Sequence, residues 1–357
     1  MRLIISLLIF ISINTSSLAQ LSISGVVTDA QTGEPITGAH VFISESQVGD
    51  YSALDGSYKL DDLTRRTFRL VISHIGYFTQ VYEISNLATS QTLDITLKED
   101  VRQLEEVEVD GKVDRKWEKY LKRFNEYFLG TNHIDTLITI ENGYLVDFKD
   151  LKGRDFRVEN QPILNIVNRY LGYEVEFQLS EFQASRGSSY FGYSNFRQMD
   201  DLDLMEQWEI NRAQAYNGSL RHFFKAVIDN KFGENGFAAT LVFEKDDRIS
   251  PLTMSLISDE REPLRIEQAG PQSPNISITS IEGQYYEITF DRLLEIVFFV
   301  ELDGFGDPQK SQIKLLAPLE IYPNGIIKNP QVMIIYGFLA DRGVYELLPF
   351  EYEPSKD

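Results

Sequence analysis

From Ser22 to Leu97 the chain breaks into short runs of alternating apolar and polar residues, each closed by a turn signal. Alternation at period two puts one face of each run in a core and the other in solvent. The turn signals fall at Asp29 to Pro35, Gly49-Asp50, Asp55-Gly56 and Gly76. Strands this short and this regularly punctuated pack as a small all-β sandwich. The first strand is expected over Leu21 to Thr28 and the second over Ile36 to Ser44, with Pro35 at its start, where a missing N–H is tolerated. Asp55-Gly56, between Tyr51–Leu54 and Tyr58–Leu60, is a hairpin signal because glycine accepts φ > 0. Phe68, Leu70 and Ile72 alternate with Arg69, Val71 and Ser73, and Thr92 to Leu97 closes the unit near Lys98.

The order of motifs resembles the carboxypeptidase-like regulatory module found in exported bacterial proteins. The matching residues are Gly25-Val26-Val27-Thr28-Asp29, Gly33-Glu34-Pro35-Ile36, Gly38-Ala39, Asp55-Gly56-Ser57-Tyr58 and Ser73-His74-Ile75-Gly76-Tyr77. The resemblance implies a seven-stranded Greek-key β-sandwich of the transthyretin-like, carbohydrate-binding-like type over residues 20–98, a module with no chemistry of its own.

The first 19 residues read as an export signal: Arg2 supplies the positive start, Leu3 to Ile13 the apolar run, and Ser17-Leu18-Ala19 the small residues before a cut at Gln20. The run is too short to span a bilayer, which takes about 20 apolar residues. Residues 99–112 are an acidic linker and 113–357 a second domain, expected to be α+β. Its first element is a helix over Asp114 to Phe128, with Trp117, Tyr120, Leu121, Phe124 and Phe128 on one face and Arg115, Lys116, Lys119, Lys122 and Arg123 mostly on the other. Burying that apolar stripe predicts that Trp117 packs on the second domain. Strands are expected from Ile134 to Phe182, a helical insert over 200–232, and strands again from Phe237. Asp200 or Asp201 is the expected cap of the insert, and Ser219 its restart after Asn217-Gly218. Residues 158–182 and 281–305 align without gaps, matching Glu159 with Glu282, Arg169 with Arg292 and Phe182 with Phe305, so a β repeat is expected there.

This second region resembles the uncharacterised domain that follows the same sandwich in many exported proteins of gram-negative bacteria. The residues that carry the likeness include Asp114-Arg115-Lys116-Trp117, Phe128-Leu129-Gly130-Thr131, Leu171-Gly172-Tyr173, Gly218–Phe223, Tyr336-Gly337-Phe338 and Leu347–Phe350. That family implies an address, the periplasm or an outer-membrane association, but no mechanism. Similar modules also front TonB-dependent outer-membrane receptors, but no series of barrel-length amphipathic strands follows here.

Composition narrows the function classes. There is no cysteine, so disulfides, thiolate metal sites and a lipidated N-terminal cysteine are excluded. With 54 acidic against 34 basic residues the net charge is −20, a field that repels nucleic acid. The four histidines, His40, His74, His133 and His222, lack the spacing of zinc-peptidase ligands. Neither a G-x-S-x-G elbow nor a phosphate loop occurs. No cofactor or metal is expected, and calcium at Asp200–Asp203 lacks the ligand spacing of an EF-hand.

Two groups stand out as ligand candidates. In the Ser188 to Phe196 loop, Tyr190, Phe191, Tyr193 and Phe196 surround Gly192, and aromatic faces of this kind stack on sugar rings. Arg221 and His222 sit at a helix start where either is placed to line a cleft. The expected function is a non-catalytic binding or scaffolding protein of the cell envelope whose partner is an envelope protein or a glycan. A glycan- or peptidoglycan-binding accessory and an enzyme of unrecognised type are the alternatives.

Overall fold

The computed structural model describes residues 21–100, 115–130, 136–151, 154–185, 188–244, 257–263, 276–302 and 306–354. The expected export signal, most of the expected linker, and His133 lie outside the described residues.

The chain is mainly β. Its first unit contains β1 (Leu21–Asp29), β2 (His40–Ile43), β3 (Gly49–Tyr51), β4 (Ser57–Leu63), β5 (Phe68–Ser73), β6 (Gln80–Ile84), β7 (Gln91–Thr92) and β8 (Ile95–Leu97). One sheet runs β4-β1-β7 with β8 also beside β1, and the other runs β3-β2-β5-β6. Ile23, Val27, Tyr58 and Leu60 from the first meet Val41, Ile43, Leu70 and Ile72 from the second in one core.

The unit has eight strands where seven were expected. The closing strand is split at Leu93-Asp94 because the Asp94 carboxylate, not a backbone carbonyl, takes the Val26 N–H at 3.0 Å. The unit also runs past Lys98: Asp100 is buried and its N–H donates to the Gly76 carbonyl at 2.8 Å.

Asp55-Gly56 makes a tight turn, the Gly56 N–H donating to the Ala53 carbonyl at 2.9 Å, but not the expected hairpin, because β3 and β4 on either side of it pair into different sheets. Gly56 has φ +76, and a Cβ there would stand 2.5 Å from the Val27 carbonyl oxygen. Gly56→Val combines a β-branched residue at positive φ with that clash, and is expected to cost ~2–3 kcal/mol of unfolding free energy. Denaturant titration against wild type measures it; an unchanged midpoint would refute the expectation.

The second region opens with α1 (Arg115–Leu129), which stops at Gly130. Six strands follow: β9 (Ile138–Ile140), β10 (Phe148–Asp150), β11 (Phe156–Val158), β12 (Ile163–Asn168), β13 (Tyr173–Ala184) and β14 (Ser188–Gln198). They form a sheet ordered β10-β11-β13-β12-β9, with β14 along the other side of β13. Phe124 and Phe128 of α1 pack on Phe177 and Phe182 of β13 and on Tyr190 of β14. Trp117 joins this body as expected, its indole N–H donating to the Val146 carbonyl at 3.0 Å.

Two helices, α2 (Met205–Tyr216) and α3 (Leu220–Ile228), connect this sheet to β15 (Phe237–Glu244), β16 (Ile257–Pro263), β17 (Ile276–Ile281), β18 (Tyr285–Phe290), β19 (Leu293–Leu302), β20 (Pro308–Leu315), β21 (Leu319–Ile321) and β22 (Met333–Gly337). Those strands form two sheets, β16-β15-β19-β20-β22 and β17-β18-β21. Ser219 caps α3 as expected, accepting the His222 N–H. The expected caps of α2 do not act as caps. Asp201 closes a turn by accepting the Asp203 N–H, and the helix begins after Leu204.

The β repeat is also overturned. β12 and β13 pair as a hairpin in one sheet. Their counterparts β18 and β19 do not pair: β18 bonds to β17 and β21, and β19 to β15 and β20. Shared alternation explains the sequence match, since any two half-buried strand pairs carry it.

Candidate functional site

The sandwich's outer face is where the chemistry-bearing side chains gather. Along β2, Val41 and Ile43 point into the sandwich core, so His40 and Phe42 point out of it. Both are nevertheless buried, Phe42 to 1% exposure, and all six residues of β5 are buried as well. A strand buried on both faces has a second layer over it. That layer is the face of the β13–β14 sheet opposite α1, which carries Glu176, Tyr193 and Asn195.

The contacts across this junction are specific. His40 Nδ1 lies 2.8 Å from Glu176 Oε2, and the Tyr51 hydroxyl donates to the other carboxylate oxygen. His40 stacks on Tyr51 with ring centroids 4.5 Å apart. The β2–β3 loop reaches the outer edge of β14. There Glu45 N–H donates to the Ser194 carbonyl at 2.7 Å, Phe196 N–H donates to the Ser46 carbonyl at 2.9 Å, and Asn195 Nδ2 donates to the carbonyls of Ser46 and Val48. Glu45 holds φ +62 to do this, and its own carbonyl accepts the Phe350 N–H at 2.6 Å. The loop thus makes a parallel bridge to β14 at Ser46 and Asn195 and ties in the C-terminal segment.

Arginines seal the other side. The Arg69 guanidinium donates to the Lys328 carbonyl at 2.7 Å and faces the Tyr193 ring. Arg65 lies over the Phe350 ring at 3.6 Å. Burial pushes the Glu45 carboxyl up, against the pull of the nearby charges of Arg69, Arg65 and Arg221.

Glu176 behaves oppositely. Burial raises its pKa, but His40, the Tyr51 hydroxyl and Arg197 together bring it below the usual carboxylate value. A depressed carboxyl stabilises the fold above its unfolded pKa of about 4.3, and that contribution is lost as pH falls through the folded value. Wild type should therefore lose stability relative to Glu176→Gln as pH drops below about 4.3. Unfolding midpoints that fall in parallel for the two proteins would refute this.

The ligand candidates read from sequence are dispersed. Ser188 to Phe196 is not a loop but most of strand β14. Strand alternation sends Tyr190 and Phe196 to the α1 side. Tyr190 packs on Phe128 and Phe177, and Phe196 is buried against Tyr173. Burial pushes the Tyr190 hydroxyl up to about 12. Phe191 and Tyr193 lie on the opposite face, half-buried, with ring centroids 5.1 Å apart.

Arg221 and His222 are in place structurally, and each is saturated. Arg221 donates to the carbonyls of Pro349 at 2.8 Å, Phe350 at 3.0 Å and Tyr352 at 2.5 Å. His222 Nδ1 accepts the Gly218 N–H and its Nε2 lies 3.1 Å from Asn235 Oδ1, so the imidazole is neutral with its proton on Nε2. Burial lowers its pKa, partly offset by Asn235.

Sequence reading missed Glu45, Arg65, Arg69, Glu176 and Asn195, and noted His40 and Tyr51 without pairing them. One local signal was available: polar His40 inside an otherwise apolar strand. A second polar cluster was equally hidden. On α2, Trp208, Asn211 and Arg212 turn inward and donate to the carbonyls of Arg169, Tyr170 and Leu171, leaving Met205 and Ile210 exposed. No group of His, Asp or Glu able to hold a metal ion occurs among the described residues. No helix among them is long and apolar enough to cross a membrane.

Residues 23–109 match the CarboxypepD_reg-like domain, so the chain carries that domain. A TonB-dependent receptor, SusC of Bacteroides thetaiotaomicron, is 33% identical over 103 residues, which are 29% of this chain and 9% of that receptor's length. Likenesses to solved structures are remote. A cohesin–X-dockerin complex from Acetivibrio cellulolyticus is 14% identical over 32% of this chain and 78% of that one, with a TM-score of 0.21. A DUF3823 family protein from Bacteroides ovatus is 10% identical over 51% and 82%, TM-score 0.19. A putative carbohydrate binding protein from Bacteroides uniformis is 7% identical over 85% and 98%, TM-score 0.19.

Proposed function

We propose that this chain is a non-catalytic exported protein of the cell envelope, periplasmic or associated with the outer membrane, that binds or scaffolds another envelope component. The observation that carries the reading is how the reactive side chains are spent. Arg221, Arg69 and His222 use their donors and acceptors on backbone and amide groups of the same chain, and His40 and Tyr51 engage Glu176 across the junction. Side chains committed in this way hold domains together and do not meet a substrate. The CarboxypepD_reg-like domain and the likeness to part of SusC support an envelope setting.

The test is photo-crosslinking in cells that export the full chain, with a crosslinker placed at exposed sandwich and body positions, followed by mass spectrometry. One recurrent envelope protein, crosslinked from adjacent positions, supports scaffolding. Turnover of a substrate by the purified protein would overturn it.

A glycan-binding role draws support from the Phe191–Tyr193 pair, the two of the four rings that remain off the α1 core. Retention on immobilised peptidoglycan, lost in Phe191→Ala at unchanged melting temperature, would favour it over protein scaffolding.

A further inference from the structure

The face of α1 turned away from the body is basic. Arg115, Lys119 and Lys122 follow at four- and three-residue steps, so they form one stripe. All three are exposed, while Phe124 and Phe128 on the opposite side are buried. The helix holds five basic residues against two acids, Glu118 and Glu126, in a chain whose net charge is −20. Lys116, on the flank, pairs with Asp150, and nearby Lys149 and Arg157 pair with Glu159. Among the described residues no carboxylate pairs with Arg115, Lys119 or Lys122. The stripe governs what this face meets at close range, because screening confines the reach of the chain's acidic charges to about 8 Å at physiological ionic strength.

A second feature lies alongside. The connection from β9 to β10 packs on the flank of α1: a Cβ at Gly143 would stand 3.4 Å from Leu121 Cδ1, and the Trp117 indole bonds to the Val146 carbonyl. Between these two fixed points Tyr144 is 72% and Leu145 40% exposed. Val146 joins the same core as Phe124 and Phe128, so helix and connection together cover the side of the β13–β14 sheet opposite the sandwich. We infer that this face docks on a membrane surface rich in anionic phosphate headgroups. The stripe meets the phosphates, and Tyr144 and Leu145 enter the boundary between headgroups and acyl chains. An acidic protein surface would match the stripe but would leave Tyr144 and Leu145 facing charge. Three charges and two small anchors make a reversible, salt-sensitive contact. The inference adds a surface to the proposed envelope role, and rests on that reading only for the place where such a membrane is met.

Co-sedimentation of the purified chain with vesicles tests it. The chain should pellet with vesicles of phosphatidylcholine and phosphatidylglycerol in equal parts, stay in solution with phosphatidylcholine alone, and be released by high salt. Arg115→Gln with Lys119→Gln and Lys122→Gln should lower the partition roughly tenfold or more at unchanged melting temperature, since glutamine is a good helix former. Lys59→Gln with Arg66→Gln and Lys310→Gln removes the same charge from exposed positions elsewhere and should bind as wild type does. Tyr144→Ser should weaken binding and leave its salt dependence unchanged. Equal pelleting with neutral vesicles, no pelleting with anionic ones, or a stripe variant that binds as the control variant does would overturn the inference. So would a chain that ignores vesicles yet is held on polyglutamate resin by the same three residues, which would make an acidic protein the partner. None of these readouts involves a protein partner, so the outcome is separate from that of the crosslinking test.

Discussion

Arg221→Ala should destabilise the full chain by about 3–5 kcal/mol, because several carbonyls lose their donor at once and each left unpaired costs about 1–3 kcal/mol. The guanidinium holds the C-terminal segment at three carbonyls, those of Pro349, Phe350 and Tyr352, and its Nε lies 3.4 Å from the Asn324 carbonyl. Removing it strands several carbonyl oxygens in a site too closed for water to replace all of their donors, at about 1–3 kcal/mol for each left unpaired. The segment it fixes also bonds to Glu45 of the sandwich through Phe350 N–H, so the loss spreads to the junction. Arg221→Lys should recover little. A single ammonium cannot reproduce the planar fork that reaches three carbonyls at once. Guanidinium titration of both variants measures the effect. A lysine variant as stable as wild type would show that charge alone matters there, and an alanine variant within 1 kcal/mol would remove the clasp from the account of stability.

Arg221 also shows where sequence legibility stopped. Its helix, its cap at Ser219 and the inward turn of Phe223 and Phe224 follow from local pattern, and all are present. Its partners lie more than 100 positions away, and no local signal encodes them. The sandwich was legible for the complementary reason. Its strands alternate and its turns carry Gly and Asp, so each strand and its inward face can be read locally. The β14 strand was misread as a loop because Gly, Ser and Asn dominate its small residues, and those types favour turns. What overrides them is β13, a 12-residue partner in register along nearly the whole strand. The false repeat came from the same source in reverse, because alternation records burial but not which strand lies beside which. α2 was expected within the helical insert, but the face it buries was not legible, since it buries Asn211 and Arg212 and exposes Ile210, the inverse of an amphipathic helix.

Phe42→Ala should lower stability by about 3–5 kcal/mol, the range for losing a buried aromatic side chain and leaving a cavity. The more informative outcome is where the loss is felt. Phe42 lies outside the sandwich core and against the second body, beside His40 and across from Gly49 and Val71. Both tryptophans, Trp117 and Trp208, are in that body and none is in the sandwich. Tryptophan fluorescence therefore follows unfolding of the body alone, whereas far-ultraviolet circular dichroism follows both units. If the junction couples them, a truncation on the sandwich side moves the fluorescence midpoint along with the dichroism midpoint. Charged contacts at the rim, such as the exposed Arg197–Glu174 pair, are worth only about 0–1 kcal/mol and do not produce that shift. Leu70→Ala, on the inner face of β5, provides the contrast, since it empties the sandwich core and leaves the interface side chains in place. A fluorescence midpoint unmoved by Phe42→Ala, with a separate early loss of dichroism, would mean that the sandwich unfolds independently and that its buried outer face contributes nothing to the stability of the body.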